Sequence, residues 1–365
     1  MEPWKPSSFG VSFVLALASL ACWGSWSNTA KAAAHIPFSL FYLDFSIGIV
    51  ALAGASFLSI GAMRFAEEEE AGDCTLKALS AVGAGALFNV ANVLLVIGIQ
   101  LAGLTVAFPV GIGLALVLGT VLTFIIDPHG NDPLKLFAGV ALAFFAILSQ
   151  VKAKLSMEAH QQAMQEIQDG LSAVVETSAT AEAPDESSTA GLVAHRAKST
   201  SSYKALAICV VCGLLMSLWS PLSAYSMAAG GDAGCSLTPY ASFLLFTGAA
   251  MCTSLVICKL LMLTPIIGER STYASWVGSL ALSDHSWGLA GGVIWAVGTL
   301  SNLISGDSIG MALSYAVGQA APMVATLWGL FYYHEFRGAP LRSKLFVALM
   351  FALYIGAILL IAWSK

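Results

Sequence analysis

The chain has 365 residues, 58% of them hydrophobic and only 10% charged, with a mean hydropathy of +0.81 and a formal net charge of −5. A water-soluble chain carries about 25% charged residues, so this composition excludes a soluble fold. The small acidic balance and the lack of a basic patch exclude nucleic acid as a partner.

A bilayer core of about 30 Å needs about 20 apolar residues per helix. Ten segments of the chain meet that need, and helices are predicted at 9–32, 37–65, 77–102, 105–127 and 133–152, then at 203–228, 238–264, 274–303, 307–334 and 343–363. The expected fold is an all-α membrane protein, multi-pass in a plasma or inner cell membrane.

The first helix ends in a dense polar and aromatic patch, Trp23-Gly24-Ser25-Trp26-Ser27-Asn28-Thr29. One reading is a cradle in which Trp23 and Trp26 stack on a small solute while Ser25, Asn28 and Thr29 bond it. The other is an aromatic belt at the membrane interface. In the second helix Asp44 lies about a third of the way along, where a carboxylate is either a proton-coupling group or an interfacial cap. On the third helix Asn89 and Asn92 are three residues apart. Carboxamides donate and accept without burying charge, which suits a neutral polar solute; helix-to-helix bonding is the competing role. Pro109 marks a break in the fourth helix.

The interval 153–202 is rich in Ala, Ser, Thr, Glu and Gln and is expected to be a flexible polar linker, with a short helical start near 156–167. It divides the chain into five-helix units at 1–152 and 203–365. In the second unit Trp219-Ser220-Pro221 interrupts the sixth helix, and Trp295, Thr299 and Asn302 fall on neighbouring turns of the eighth. Residues 266–285 are of mixed polarity and read as an interfacial segment. Ser314, Gly318, Gln319, Pro322 and Thr326 recur along the ninth, which Pro322 is expected to break. The cysteines, Cys209-x-x-Cys212 among them, lie mostly in apolar runs and read as small hydrophobes, so no metal is expected.

The halves look related. A shift of about 207 residues lays the segment from Phe88 over that from Trp295 and Val110-Gly111 over Val317-Gly318, while Trp26 and Trp219 hold matching places in the first and sixth helices. Five is odd, so a second copy in direct continuation enters from the opposite side: two inverted five-helix repeats are expected, with Trp26 and Trp219 as a clamp across the axis. Of the 16 Lys and Arg residues, eleven fall on the linker side and five on the side of the termini, which favours a cytoplasmic linker. The chain has no phosphate-binding Gly-x-x-x-x-Gly-Lys-Ser/Thr loop and no His-Glu-x-x-His or Gly-x-Ser-x-Gly arrangement, so ATP-driven transport, hydrolase chemistry, catalytic residues and cofactors are not expected.

The stretches Gly292-Val-Ile-Trp295-Ala-Val-Gly298, Ser314 to Leu330 and His334-Glu335-Phe336-Arg337-Gly338 resemble the end of ureide permeases and of bacterial glucose/ribose porters, in the drug/metabolite transporter superfamily. Gly103 to Gly111 and Gly119 to Asp127 are similar to the rhamnose–proton symporter branch. The resemblance implies a cavity lined by helices 1, 3, 4, 6, 8 and 9, and uptake of a small uncharged solute, sugar-like or ureide/nucleobase-like, with a proton. An exporter of drugs or metabolites is the alternative within the same superfamily, and a homo-oligomer is compatible with either. Plant ureide permeases have a nucleotide-binding-like motif in their central loop, and this linker lacks it. The superfamily commonly has a cytoplasmic amino terminus, opposite to the charge count.

Overall fold

The computed structural model describes residues 2–68, 73–102, 107–179, 198–228, 235–265 and 270–365. Parts of the predicted segments lie outside them: 103–106 at the start of the fourth helix, 180–197 of the linker and 266–269 of the interfacial segment.

The first predicted helix is two, α1 (Phe9–Ser25) and α2 (Ser27–Ala32), with Ser8 capping the start of α1 through the Val11 amide at 3.4 Å. Then come α3 (Phe38–Leu58) and α4 (Thr75–Ala102), and a π-turn at Phe108–Ile112 that leads into α5 (Gly113–Ile126). Pro109 accounts for that turn, since it offers no amide to a regular ladder. The next helix, α6, runs from Pro133 to Ala179, and α7 runs from Lys198 to Met227. The interval expected as linker from residue 153 is thus helical as far as 179.

Thr238 caps α8 (Pro239–Leu263). The interfacial segment holds a short helix, α9 (Tyr273–Gly278), closed by a capping box between Thr272 and Ser275. The eighth predicted span is α10 (Leu282–Ile309). The ninth is divided into α11 (Met311–Gly318) and α12 (Ala321–Phe331), and the tenth is α13 (Leu341–Ala362). Because the ninth is divided, nine helices among the described residues are each long and apolar enough to cross a membrane. Gly310 separates α10 from α11 at φ +101°, where a Cβ would press on Asn131 Nδ2, so glycine is required there.

The helices pack in a recurrent scheme: α4 lies on α7 and α8, α10 on α1 and α3, and α6 on α13. Two glycines permit closest approach. A Cβ at Gly85 of α4 would collide with the Phe246 carbonyl of α8, and one at Gly292 of α10 with the Phe45 carbonyl of α3. Seven rings, those of Trp23, Phe45, Phe88, Trp219, Phe246, Trp295 and Tyr315, make one aromatic cluster through the middle of the bundle, with Phe88 and Trp295 centroids 4.7 Å apart.

Both termini lie on one face. There β1 (Ala66–Glu68) pairs antiparallel with β2 (Cys235–Leu237), joining the α3–α4 and α7–α8 connections, and Cys74 is disulfide-bonded to Cys235. No local pattern marks that bond, as the two cysteines are 161 residues apart. The α2–α3 and α12–α13 connections lie on the opposite face, which the α6 helix also reaches.

Candidate functional site

A cavity of about 410 Å³ enters the bundle from the face opposite the termini. Its floor is aromatic: Trp23, Phe88, Trp219 and Trp295 line it. The indole of Trp23 donates to Thr299 Oγ1 at 3.0 Å, which fixes the ring plane and leaves its face to the cavity. Trp26 lines the wall and packs against Phe45 at 4.9 Å.

Three carboxamides supply the polar lining. Asn92 Nδ2 donates to the Tyr42 hydroxyl at 2.9 Å, and Asn28 Nδ2 donates to the Ser25 carbonyl at 2.8 Å. Each keeps its Oδ1 unpaired among the described residues. Gln319 falls in the gap between α11 and α12, and its carboxamide has no hydrogen-bond partner among the described residues. The broken helix therefore presents both a side chain and freed backbone groups at the cavity wall.

Charge is confined to the mouth. Lys31 Nζ pairs with Glu335 at 3.0 Å and sits over the Tyr333 ring at 3.9 Å, and Lys154 lies nearby on α6. Gln150, bonded to Thr326 Oγ1 at 2.9 Å, completes the rim. The rim was not read from the sequence. Lys31 and Glu335 are 304 positions apart, and α6 lines the cavity only because it leans on α13.

Seven of the predicted residues, Trp23, Trp26, Asn28, Asn92, Trp219, Trp295 and Gln319, therefore share one cavity, and three do not line it. Asn89 is spent in helix contacts: its Oδ1 accepts from Tyr42 at 2.8 Å and Ser254 at 3.1 Å, and its Nδ2 donates to Thr253 at 2.9 Å. Ser314 and Asn302 bond each other's backbone carbonyls at 2.8 Å, which ties α11 back onto α10. Asp44 lies in the α3–α10 seam. It accepts from Trp276 Nε1 at 3.0 Å and faces His285 Nδ1 at 2.9 Å, while Gly288 makes room for it on α10. His285 and Trp276 were missed because they fall in the stretch of mixed polarity, where nothing periodic singles them out.

Comparison with known proteins agrees with this architecture. A family model described as ureide permease matches residues 193–364. Ureide permease 2 of Arabidopsis thaliana is 24% identical and covers 96% of both chains, and ureide permease 4 of the same plant is 23% identical over 79% of this chain and 78% of its own. One solved crystal structure of a protein, 16% identical, superposes with a TM-score of 0.55 over 96% of this chain and 98% of that one, which is a likeness of fold. The chain is an integral, multi-pass membrane protein similar to ureide permeases.

Proposed function

We propose that this ureide permease-like chain is a secondary transporter that imports a small uncharged solute, ureide- or sugar-like, by alternating access between two inverted repeats at 1–152 and 203–365. The interval 153–202 joins them. The cavity carries this reading: an aromatic floor without charge, lined also by the carboxamides of Gln319, Asn28 and Asn92, of which the Gln319 side chain and the Asn Oδ1 atoms have no partner among the described residues. A ureide offers alternating N–H donors and C=O acceptors on a flat edge, which such carboxamides complement while indole faces cover the plane. The proteins it resembles are named ureide permeases, and nothing in the cavity favours the exporter reading over import.

Inverted repeats are supported by packing that exchanges the halves. Gly85 and Gly292 differ by the same offset of 207 positions that relates the sequences, and each lets its helix approach a partner of the other half. The contacts of Trp26 with Phe45 and of Trp219 with Phe246 are likewise counterparts, with centroids at 4.9 and 5.9 Å. The disulfide on the terminal face supports the orientation favoured by charge, because such bonds persist in oxidising compartments; the linker and cavity mouth then face the cytosol.

Uptake by the reconstituted chain of a radiolabelled panel of cyclic ureides and aldohexoses tests the solute class. Accumulation of a ureide or a sugar above background is expected. Accumulation of neither, with efflux of hydrophobic dyes, would replace this reading by the exporter. Asp44 is the group proposed to couple protons, because a carboxylate within a span is expensive unless it is used. Asp44→Asn should lower concentrative uptake by a factor of ten or more while sparing counterflow, since the carboxamide imitates a permanently protonated acid. Equal loss of both activities would assign Asp44 to folding or binding.

A further inference from the structure

Asp44 is walled off from the cavity, so a proton needs another way to reach it. Two pairs of titratable side chains lie on the mouth side of the bundle, one at the surface and one at that carboxylate. His35 is the outermost, with 62% of its side chain exposed, and its Nε2 is 3.1 Å from Asp284 Oδ1. Asp284 opens α10 and is followed in the chain by His285, whose side chain is 21% exposed and whose Nδ1 is 2.9 Å from Asp44 Oδ2. The Asp44 side chain itself is 4% exposed.

We propose that His35, Asp284 and His285 form a proton-access route to Asp44 from the face that bears the cavity mouth, separate from the solute cavity. This rests on the reading of Asp44 as the coupling group and supplies its route. His35 and Asp284 collect protons at the surface, where the imidazole Nε2 and the carboxylate are 3.1 Å apart. The His285 imidazole starts with its proton on Nδ1, donated to the Asp44 carboxylate. Binding of a second proton at Nε2, which has no protein partner among the described residues, makes the imidazolium. Its Nδ1–H bond then breaks as an O–H bond forms on Asp44 Oδ2. The products are a neutral carboxyl and a neutral imidazole of the other tautomer, so one positive charge has moved inward and none is left over.

The surroundings suit this step. Trp276, on the short α9 helix, holds Asp44 Oδ1 at 3.0 Å and packs edge-on to the His285 ring at 5.5 Å, so α9 covers the pair and leaves its approach at the α10 start. The other titratable groups near the seam are engaged or buried. On α3 the Tyr42 hydroxyl is bonded to Asn89 and Asn92; on α8, Cys258 is buried and Lys259 lies 5.4 Å from the Tyr273 ring; on α2, Lys31 is paired with Glu335. None of them competes for the Asp44–His285 proton.

Trp276 serves as the reporter, through its emission in the full chain in nanodiscs, taken as the difference from Trp276→Phe. It should fall about twofold when His285 is protonated on acidification, because an imidazolium against the indole quenches it. That titration should vanish in His285→Gln. In His35→Ala, which touches only an exposed ring, the end points should stay and the rate after a pH jump should fall about tenfold, as expected for loss of a surface proton collector. An emission that does not titrate, or an unchanged rate in His35→Ala, overturns the route. Normal titration and rates beside transport that ignores the proton gradient would leave the route standing and remove the coupling role of Asp44, so the two failures are distinct.

Discussion

The two faces of this bundle are held by different means. On the terminal face the links are chiefly covalent or involve backbone, with the side-chain pair Lys5–Asp307 at 3.7 Å beside them. The Cys74–Cys235 bond is backed by Lys77, buried on the same side of α4, whose ammonium donates to the Tyr225 and Ala228 carbonyls at 2.7 and 3.0 Å at the end of α7. Close by, Tyr240 donates to the Trp4 carbonyl at 2.8 Å, and the Asp132 amide donates to the Ser364 carbonyl at 2.7 Å. The mouth face is tied chiefly by side-chain pairs, Lys31 with Glu335 and His35 with Asp284. Exposed pairs of that kind contribute about 0–1 kcal/mol each, whereas a disulfide contributes about 2–4 kcal/mol. The difference teaches where the links are weak: those seen across the mouth face cost less to break than those across the terminal face.

The strongest challenge to this contrast is at the cavity floor, where the faces meet. Trp219 is 2% exposed and wedged among Trp23, Phe246 and Tyr315, so Trp219→Ala should cost about 3–5 kcal/mol of stability in a detergent melt. Trp219→Phe, which keeps most of the packing, isolates the solute contact. It should weaken apparent affinity about five- to tenfold, on the order of 1 kcal/mol, if the indole face holds solute. Normal affinity in Trp219→Phe, together with an unprotected cysteine at position 219 when solute is bound, would reduce the ring to packing.

Cys74→Ser comes next. It should lower stability by about 2–4 kcal/mol, and a membrane-impermeant reductant should reach the native bond only from outside the cell. Reduction only from the cytosolic side would reverse the proposed orientation.

The smallest effect is expected at His129, in the connection between α5 and α6. Its hydrogen bond to Asp127, at 3.4 Å, raises its pKa above the ordinary imidazole value, against the opposing effect of burial. The charged imidazole thus stabilises the terminal face fully below about pH 6.5, and that contribution is lost as pH rises through the raised value. His129→Ala should therefore lower the melting temperature at pH 5.5 and leave it unchanged at pH 9. A pH-independent difference would mean that the ring acts through packing alone.

Much of this was legible in the chain. Hydropathy marked each spanning segment, and single polar residues within spans pointed to seven of the cavity's lining residues. The exceptions are instructive. Asn89 and Asn92 look alike in sequence and lie one turn apart, yet Asn89 meets Tyr42, Thr253 and Ser254 while Asn92 reaches the cavity. Their difference is one of rotation about the helix axis, which no local pattern records. In the ninth span Pro322 pointed to a break, and the backbone puts it just before that proline, between Gly318 and Ala321.

By itself the sequence determined the membrane environment, the order of spans and the chemical character of the cavity, because transfer free energy per residue is local and additive along a helix. The tertiary structure decided which polar groups are free and which are spent on one another, and it brought together residues far apart in the chain. Asp44 and His285 are 241 positions apart, Cys74 and Cys235 161. Such pairings depend on how helices rotate and slide against one another, and in a bilayer those choices are set by close packing and polar satisfaction rather than by any hydrophobic periodicity.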